Sequence, residues 1–196
     1  MNPRGKRFPI LFGVALVATV VLAACGSAVQ PNATATSSDV STDIQIPADF
    51  PIAVYQGEEI VGGQEVSFSE VLGQGKPVVL NLWAGLCPPC RLEMPDFQEV
   101  STRFGDDVIL FGLDVGPFTN LGSSEDGQRL VQDLGVRYPV GTTSDADVVK
   151  AYGLIGMPTT YLIKPNGEIL RQWTGLLTEE KLTELVQELL AASARS

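Results

Sequence analysis

Histidine is absent from this 196-residue chain, and cysteine occurs only three times. The missing histidine removes Cys–His and Ser–His nucleophile pairs, so proton transfer falls to carboxylates, thiols, lysine, tyrosine or water. Zinc is a poor fit as well. Cys87 and Cys90 would supply half a site, and the third cysteine, Cys25, lies far off in an N-terminal segment. Copper-type metal handling is disfavoured on the same ground. Positive charge is also scarce: 13 Lys and Arg stand against 23 Asp and Glu, for a net charge of −10. With no basic patch, nucleic acid is not an expected partner, and the acidic balance reads as a well-solvated surface. Nor does the chain carry an internal repeat. Its length suits one globular domain with extensions.

What is present begins with a charge-free run. Arg4, Lys6 and Arg7 precede Phe8–Ala24, which ends Leu22-Ala23-Ala24-Cys25. A basic start, an apolar core and small residues before a break make an export signal. Leu-Ala-Ala-Cys resembles the lipobox of bacterial lipoproteins, which implies cleavage before Cys25 and lipid on that residue. An uncleaved transmembrane anchor is the alternative, since 17 residues are at the short limit for a span. Either reading puts the domain outside the cytoplasm, and the first makes it a lipoprotein held on the cell membrane. Residues 25–47, rich in Ser, Thr, Ala, Asn and Gln, read as the lipidated Cys and a flexible linker; the folded domain is expected over 48–193.

The centre of the chain is Trp83-Ala84-Gly85-Leu86-Cys87-Pro88-Pro89-Cys90. It follows a buried-strand pattern, Pro77–Leu82, and leads into a segment where Met94, Phe97, Val100 and Phe104 recur at helical spacing. Two cysteines at a strand-to-helix junction can close as a disulfide, and a helix N-terminus stabilises a thiolate at Cys87. A purely structural staple is the plainer alternative, but so small a loop contributes only about 2 kcal/mol. Pro88 and Pro89 lack an N–H, so the thiolate has fewer backbone donors, and a less oxidising pair is expected.

Elsewhere, Ile52–Tyr55 and Glu65–Phe68 read as strands around a Gly62-Gly63 turn. A helix from Pro88–Cys90 to Phe104, kinked at Pro95, is followed by a buried strand over 108–114. Ser123 or Ser124 caps a helix to Leu134, Tyr138–Val140 makes a short strand, and Ser144 caps a further helix. Thr159–Ile163 and Glu168–Trp173 flank Pro165-Asn166-Gly167 as a hairpin, and Thr178 caps a terminal amphipathic helix. The hairpins demand antiparallel neighbours and the helical crossovers favour parallel ones, so the sheet is mixed.

Leu80-Asn81-Leu82-Trp83-Ala84, Cys87-Pro88-Pro89-Cys90-Arg91, Glu93-Met94-Pro95 and Tyr152–Ile163 with its Gly156-Met157-Pro158-Thr159-Thr160 core resemble thioredoxin-fold proteins of the TlpA/ResA type. The resemblance covers about residues 48–193. It implies an α/β thioredoxin-like fold: a central mixed sheet flanked by helices, an N-terminal β-hairpin and a central α/β insertion. It also implies a membrane-attached, extracytoplasmic thiol–disulfide oxidoreductase that reduces exported proteins such as apocytochrome c and is fed by a membrane electron donor. No cofactor beyond the Cys87–Cys90 disulfide is expected. Cys87 is then the exposed nucleophile, Cys90 the buried resolving thiol and Pro158 a cis-proline beside the disulfide. Trp83, Pro88, Pro89, Met157 and Pro158 form the client-binding surface. From the residues alone, Met157-Pro158 is equally an ordinary trans turn. Glu93, three residues after Cys90, is either a partly buried acceptor for the Cys90 proton or a solvent-facing helix residue. Leu86 stands where such proteins commonly carry Trp, which bears on partner choice. A thiol oxidase, a thiol peroxidase and a non-enzymatic scaffold lipoprotein are the competing functions.

Overall fold

The computed structural model describes residues 49–195. The signal segment 1–24, Cys25 and the linker to residue 47 lie outside the described residues. In chain order the elements are β1 (Pro51–Gln56), α1 (Glu58–Val61), β2 (Glu65–Ser67), α2 (Phe68–Leu72), β3 (Val78–Trp83), α3 (Pro88–Phe104) and β4 (Ile109–Asp114). They continue with α4 (Gly116–Thr119), α5 (Ser124–Leu134), β5 (Val140–Thr142), α6 (Asp147–Ala151), β6 (Thr159–Ile163), β7 (Ile169–Thr174) and α7 (Glu179–Ser193). The seven strands form one sheet in the order β2-β1-β5-β4-β3-β6-β7. β3 runs parallel to β4 and β4 to β5, while the remaining pairs are antiparallel. The sheet is therefore mixed, as expected, with α4, α5, β5 and α6 inserted between β4 and β6.

β3 lies inside the sheet with both its faces covered, and its apolar side chains sort by the two-residue period of a strand. Val78, Leu80 and Leu82 enter one core with Phe50, Phe68, Tyr152 and Tyr161. Val79 and Trp83 enter the other, with Met94, Phe97, Leu182, Leu185 and Leu189 from α3 and α7. The same alternation puts Asn81 on the α3 face, level with Thr160 of β6. α3 starts at the carboxyl end of β3, so the strand delivers the Cys pair to the rim of the sheet. Pro95 lies inside α3 without ending it. No helix among the described residues is long and apolar enough to cross a membrane.

Several boundaries differ from expectation, each for a local reason. β1 and β2 do pair antiparallel, but α1 intervenes before the Gly62-Gly63 turn. Phe68 leaves the strand because Ser67 and Glu70 form a reciprocal capping box that starts α2. The short strand falls at Val140–Thr142 rather than Tyr138–Val140. Upstream, Gln98 Oε1 accepts from the Arg137 and Tyr138 N–H groups, and Gln56 Nε2 donates to the Val136 and Tyr138 carbonyls, so side chains occupy that backbone. Ser144 caps nothing: α6 starts at Asp147, whose N–H donates to Asp145 Oδ1 at 2.9 Å. Ser123 and Thr178 cap α5 and α7 through their side-chain oxygens.

Candidate active site

β3 ends at Trp83, three residues turn the chain, and Cys87 becomes the N-cap of α3 with extended backbone (φ −95°, ψ 107°). Pro88 and Pro89 open the helix, where a missing N–H is tolerated and the fixed φ suits the first turn. Cys87 and Cys90 are joined in a disulfide with Cα atoms 5.3 Å apart. Cys87 Sγ accepts from the Cys90 N–H at 3.3 Å, the orphan donor that a cap residue ordinarily takes. The two prolines leave the first two helical positions without donors. Cys87 is not the freely exposed residue expected: only 3% of its surface meets solvent, and Cys90 has none. Pro88 is exposed and Pro89 half-buried.

Glu93 lies one turn beyond Cys90 and is completely buried, which rules out a solvent-facing helix position. Asn81 Nδ2 donates to Oε1 at 2.8 Å and the Leu177 N–H donates to Oε2 at 3.0 Å. Asn81 Nδ2 also reaches Thr160 Oγ1 at 3.0 Å. Burial pushes the Glu93 carboxyl up to about 7; the Leu177 and Asn81 donors oppose that shift, and Asp96 adds to it. A carboxyl that gains and loses its proton near neutrality suits general acid–base work beside a thiol.

The Met157–Pro158 peptide is cis. Pairing of Leu82 with Thr159 sets Pro158 at the end of the sheet where the Cys turn emerges, and its carbonyl accepts from the Gly175 N–H at 2.8 Å. Half-buried Met157 packs against the core that contains Cys87 and Cys90. Trp83 is a correction. Its side chain is fully buried under the site, so it supports the turn and has no surface to offer a client. Apolar side chains next to the Cys pair in the chain that do reach solvent are Leu86 (59%) and Leu92 (68%). Cys25 lies outside the described residues.

Sequence reasoning passed over Asp114, a fully buried carboxyl at the end of β4, and its partner Tyr55. The one available signal was a carboxylate directly after the apolar run Ile109–Leu113, at the strand's carboxyl end.

This arrangement has counterparts in known proteins. The AhpC/TSA family model matches residues 47–172. The thiol-disulfide oxidoreductase ResA of Oceanobacillus iheyensis is 31% identical over 170 residues, covering 85% of this chain and 80% of its own length. The sporulation thiol-disulfide oxidoreductase A of Bacillus subtilis is 29% identical over 147 residues, 73% of this chain and 81% of its own. The crystal structure of StoA from Bacillus subtilis superposes with a TM-score of 0.58 at 25% identity, over 72% of this chain and 98% of that one. With a Cys pair closed at a helix N-terminus on this fold, the chain belongs to the AhpC/TSA family and is a thiol–disulfide oxidoreductase of the ResA/StoA type.

Proposed function

We propose that this protein works outside the cytoplasm, held to the membrane through lipid on Cys25, and reduces disulfides in exported proteins, apocytochrome c among them. The observation that carries the reading is the Cys87–Cys90 disulfide with a buried carboxyl, Glu93, one turn behind it. In the reduced protein the Cys87 thiolate attacks a client disulfide. A mixed disulfide forms and one client thiolate leaves. Cys90 then attacks Cys87 Sγ, its proton passing to Glu93, and the second client sulfur departs. The product is the Cys87–Cys90 disulfide, which needs two electrons from a membrane donor before the next cycle. Half-buried Met157 and the proline faces at 88 and 89 present the surface on which an extended client segment lies, and cis-Pro158, itself buried, backs that surface from below.

The two prolines support the reductive direction, because each removes a backbone donor that would stabilise the thiolate and favour oxidation of clients. The test is the reduction potential of the pair, set by equilibration in a dithiol/disulfide buffer, together with turnover by Cys87→Ser. A potential at or below about −250 mV and an inactive Cys87→Ser support a reductant. A potential near −120 mV makes the protein an oxidant, and full activity in Cys87→Ser removes the exchange role of this pair.

A further inference from the structure

A second buried carboxyl shares the α3 face of the sheet with Glu93, and the exchange cycle leaves it without a task. Asp114 ends β4 level with Trp83 of β3 and has no contact with solvent. Its Oδ1 accepts from the Gly116 N–H at 2.9 Å and its Oδ2 from the Tyr55 hydroxyl at 3.1 Å. Its backbone carbonyl accepts from the Thr142 hydroxyl at 2.9 Å. One residue thus ties β4 to β1, to β5 and to the start of α4. Gly127 of α5 makes room for the carboxyl: a Cβ there would collide with Oδ2 and stand 3.4 Å from the Trp83 ring.

The segment anchored by Asp114 is the wall against which the approach to Cys87 leans. The Val115 N–H donates to the Trp83 carbonyl at 2.9 Å, and the Leu86 N–H donates to the Leu121 carbonyl at 2.8 Å. Gly85 lies so close to α5 that a Cβ would be 2.5 Å from the Asp126–Gly127 peptide. The Cys87 N–H completes the series by donating to the Ala84 carbonyl at 3.2 Å. Direct contacts therefore run from Asp114 through the 115–127 segment and the 84–86 turn to Cys87.

We propose that Asp114, with Tyr55 as its phenol partner, is a positioning residue for Cys87: it sets the placement of the 84–86 turn and through it the reactivity of the thiol. The inference rests on Cys87 being the attacking sulfur. A packing role alone calls for an apolar side chain, since a buried carboxyl costs free energy even when bonded. The groups facing Asp114 are the Tyr55 phenol from β1, with the Ser124 and Thr142 hydroxyls beside it, and Asp126 from α5, itself paired with Arg129 at 3.3 Å. Burial pushes the Asp114 carboxyl up to about 6, Asp126 adds to that, and the Gly116 and Tyr55 bonds oppose it. The brace changes charge in mildly acidic solution.

The test uses the full reduced chain. The rate of iodoacetamide alkylation at Cys87, read by peptide mass, is followed from pH 5 to 9 in the parent, Asp114→Asn and Tyr55→Phe, with melting temperature recorded alongside. The parent shows an inflection near pH 6. Asp114→Asn removes it and changes the rate threefold or more, and Tyr55→Phe, which deletes a donor to the carboxylate, moves it to higher pH. Profiles that superpose on the parent overturn the proposal, as does a lowered melting temperature with an unchanged profile. If Asp114→Asn does not fold, Tyr55→Phe decides by the same criterion. Cys87→Ser in a client-exchange assay separates the two levels. Retained exchange brings down the assignment of Cys87 and this inference with it, whereas lost exchange with unchanged Asp114→Asn and Tyr55→Phe profiles brings down only the inference.

Discussion

Glu93 receives hydrogen bonds from Asn81 Nδ2 and the Leu177 N–H, yet burial still holds its carboxyl up at about 7. Both donors favour the charged form, so the upward shift measures how completely the site excludes water. In Glu93→Gln the amide keeps one acceptor for Leu177 and gains a donor for Asn81 Oδ1, which has no partner among the described residues. That exchange requires Asn81 to turn its amide over, which gives up the Nδ2 bond to Thr160 Oγ1 and leaves the Thr160 hydroxyl to donate to Oδ1 instead. The variant is expected to fold, to release client several-fold more slowly in single turnover at pH 7–8, and to lose the rise in rate through pH 7. Parent-like kinetics from pH 6 to 9 would show that Cys90 loses its proton elsewhere. The same residue shows where the sequence stops short. Its spacing from Cys90 was visible, but its burial depends on Leu177, 84 residues away in the chain.

At the scale of elements, the site is a turn wedged between two helix starts. α3 offers its first turn to Cys87, and α5, capped by Ser123, offers the peptide on which Gly85 rests. Gly85→Ala puts a methyl group 2.5 Å from backbone that is fixed by the helix, so no side chain can yield to relieve it. The expected cost is about 1–3 kcal/mol, the usual price of overpacking, read as a lower melting temperature of the oxidised protein. An unchanged melting temperature would mean that the turn moves off α5 freely. The start of α7 is set in the same way. Thr178→Ala removes the acceptor of the Lys181 N–H and should cost about 1 kcal/mol in denaturant unfolding. These long helices and buried strands were legible because caps and periodicity mark them. α1, α2 and α4 were not, because four or five residues are too few to show a period; α6, equally short, was expected only from a Ser144 cap that the structure does not form. Trp83 and Asp114 were not placed because their surroundings come from α5, β1 and β5, which only the closed sheet brings together.

For the whole molecule, the two buried carboxyls set an unusual dependence of stability on pH. Both Glu93 (about 7) and Asp114 (about 6) hold their protons more tightly when folded than unfolded, where ordinary values of 4.5 and 3.8 apply. Between those limits the native state binds more protons, so the contribution is fully present below about pH 4 and is lost as pH rises through about 7. Each carboxyl contributes at most about 3 kcal/mol across its window. The net charge of −10 acts in the same direction, since self-repulsion grows as carboxylates ionise. Surface carboxyls act oppositely. Asp126, lowered by the Ser123 backbone N–H, and Glu168, lowered by Lys164, contribute stability that is lost as pH falls through their depressed values. The optimum should therefore lie on the acid side of neutrality, with the urea midpoint of the oxidised protein higher at pH 5 than at pH 8. Glu93→Gln and Asp114→Asn should each flatten that slope, and the pair together should leave only the drift due to net charge. A midpoint that rises from pH 5 to pH 8, or a double variant with the parent's slope, would mean that neither carboxyl carries its proton into the folded state.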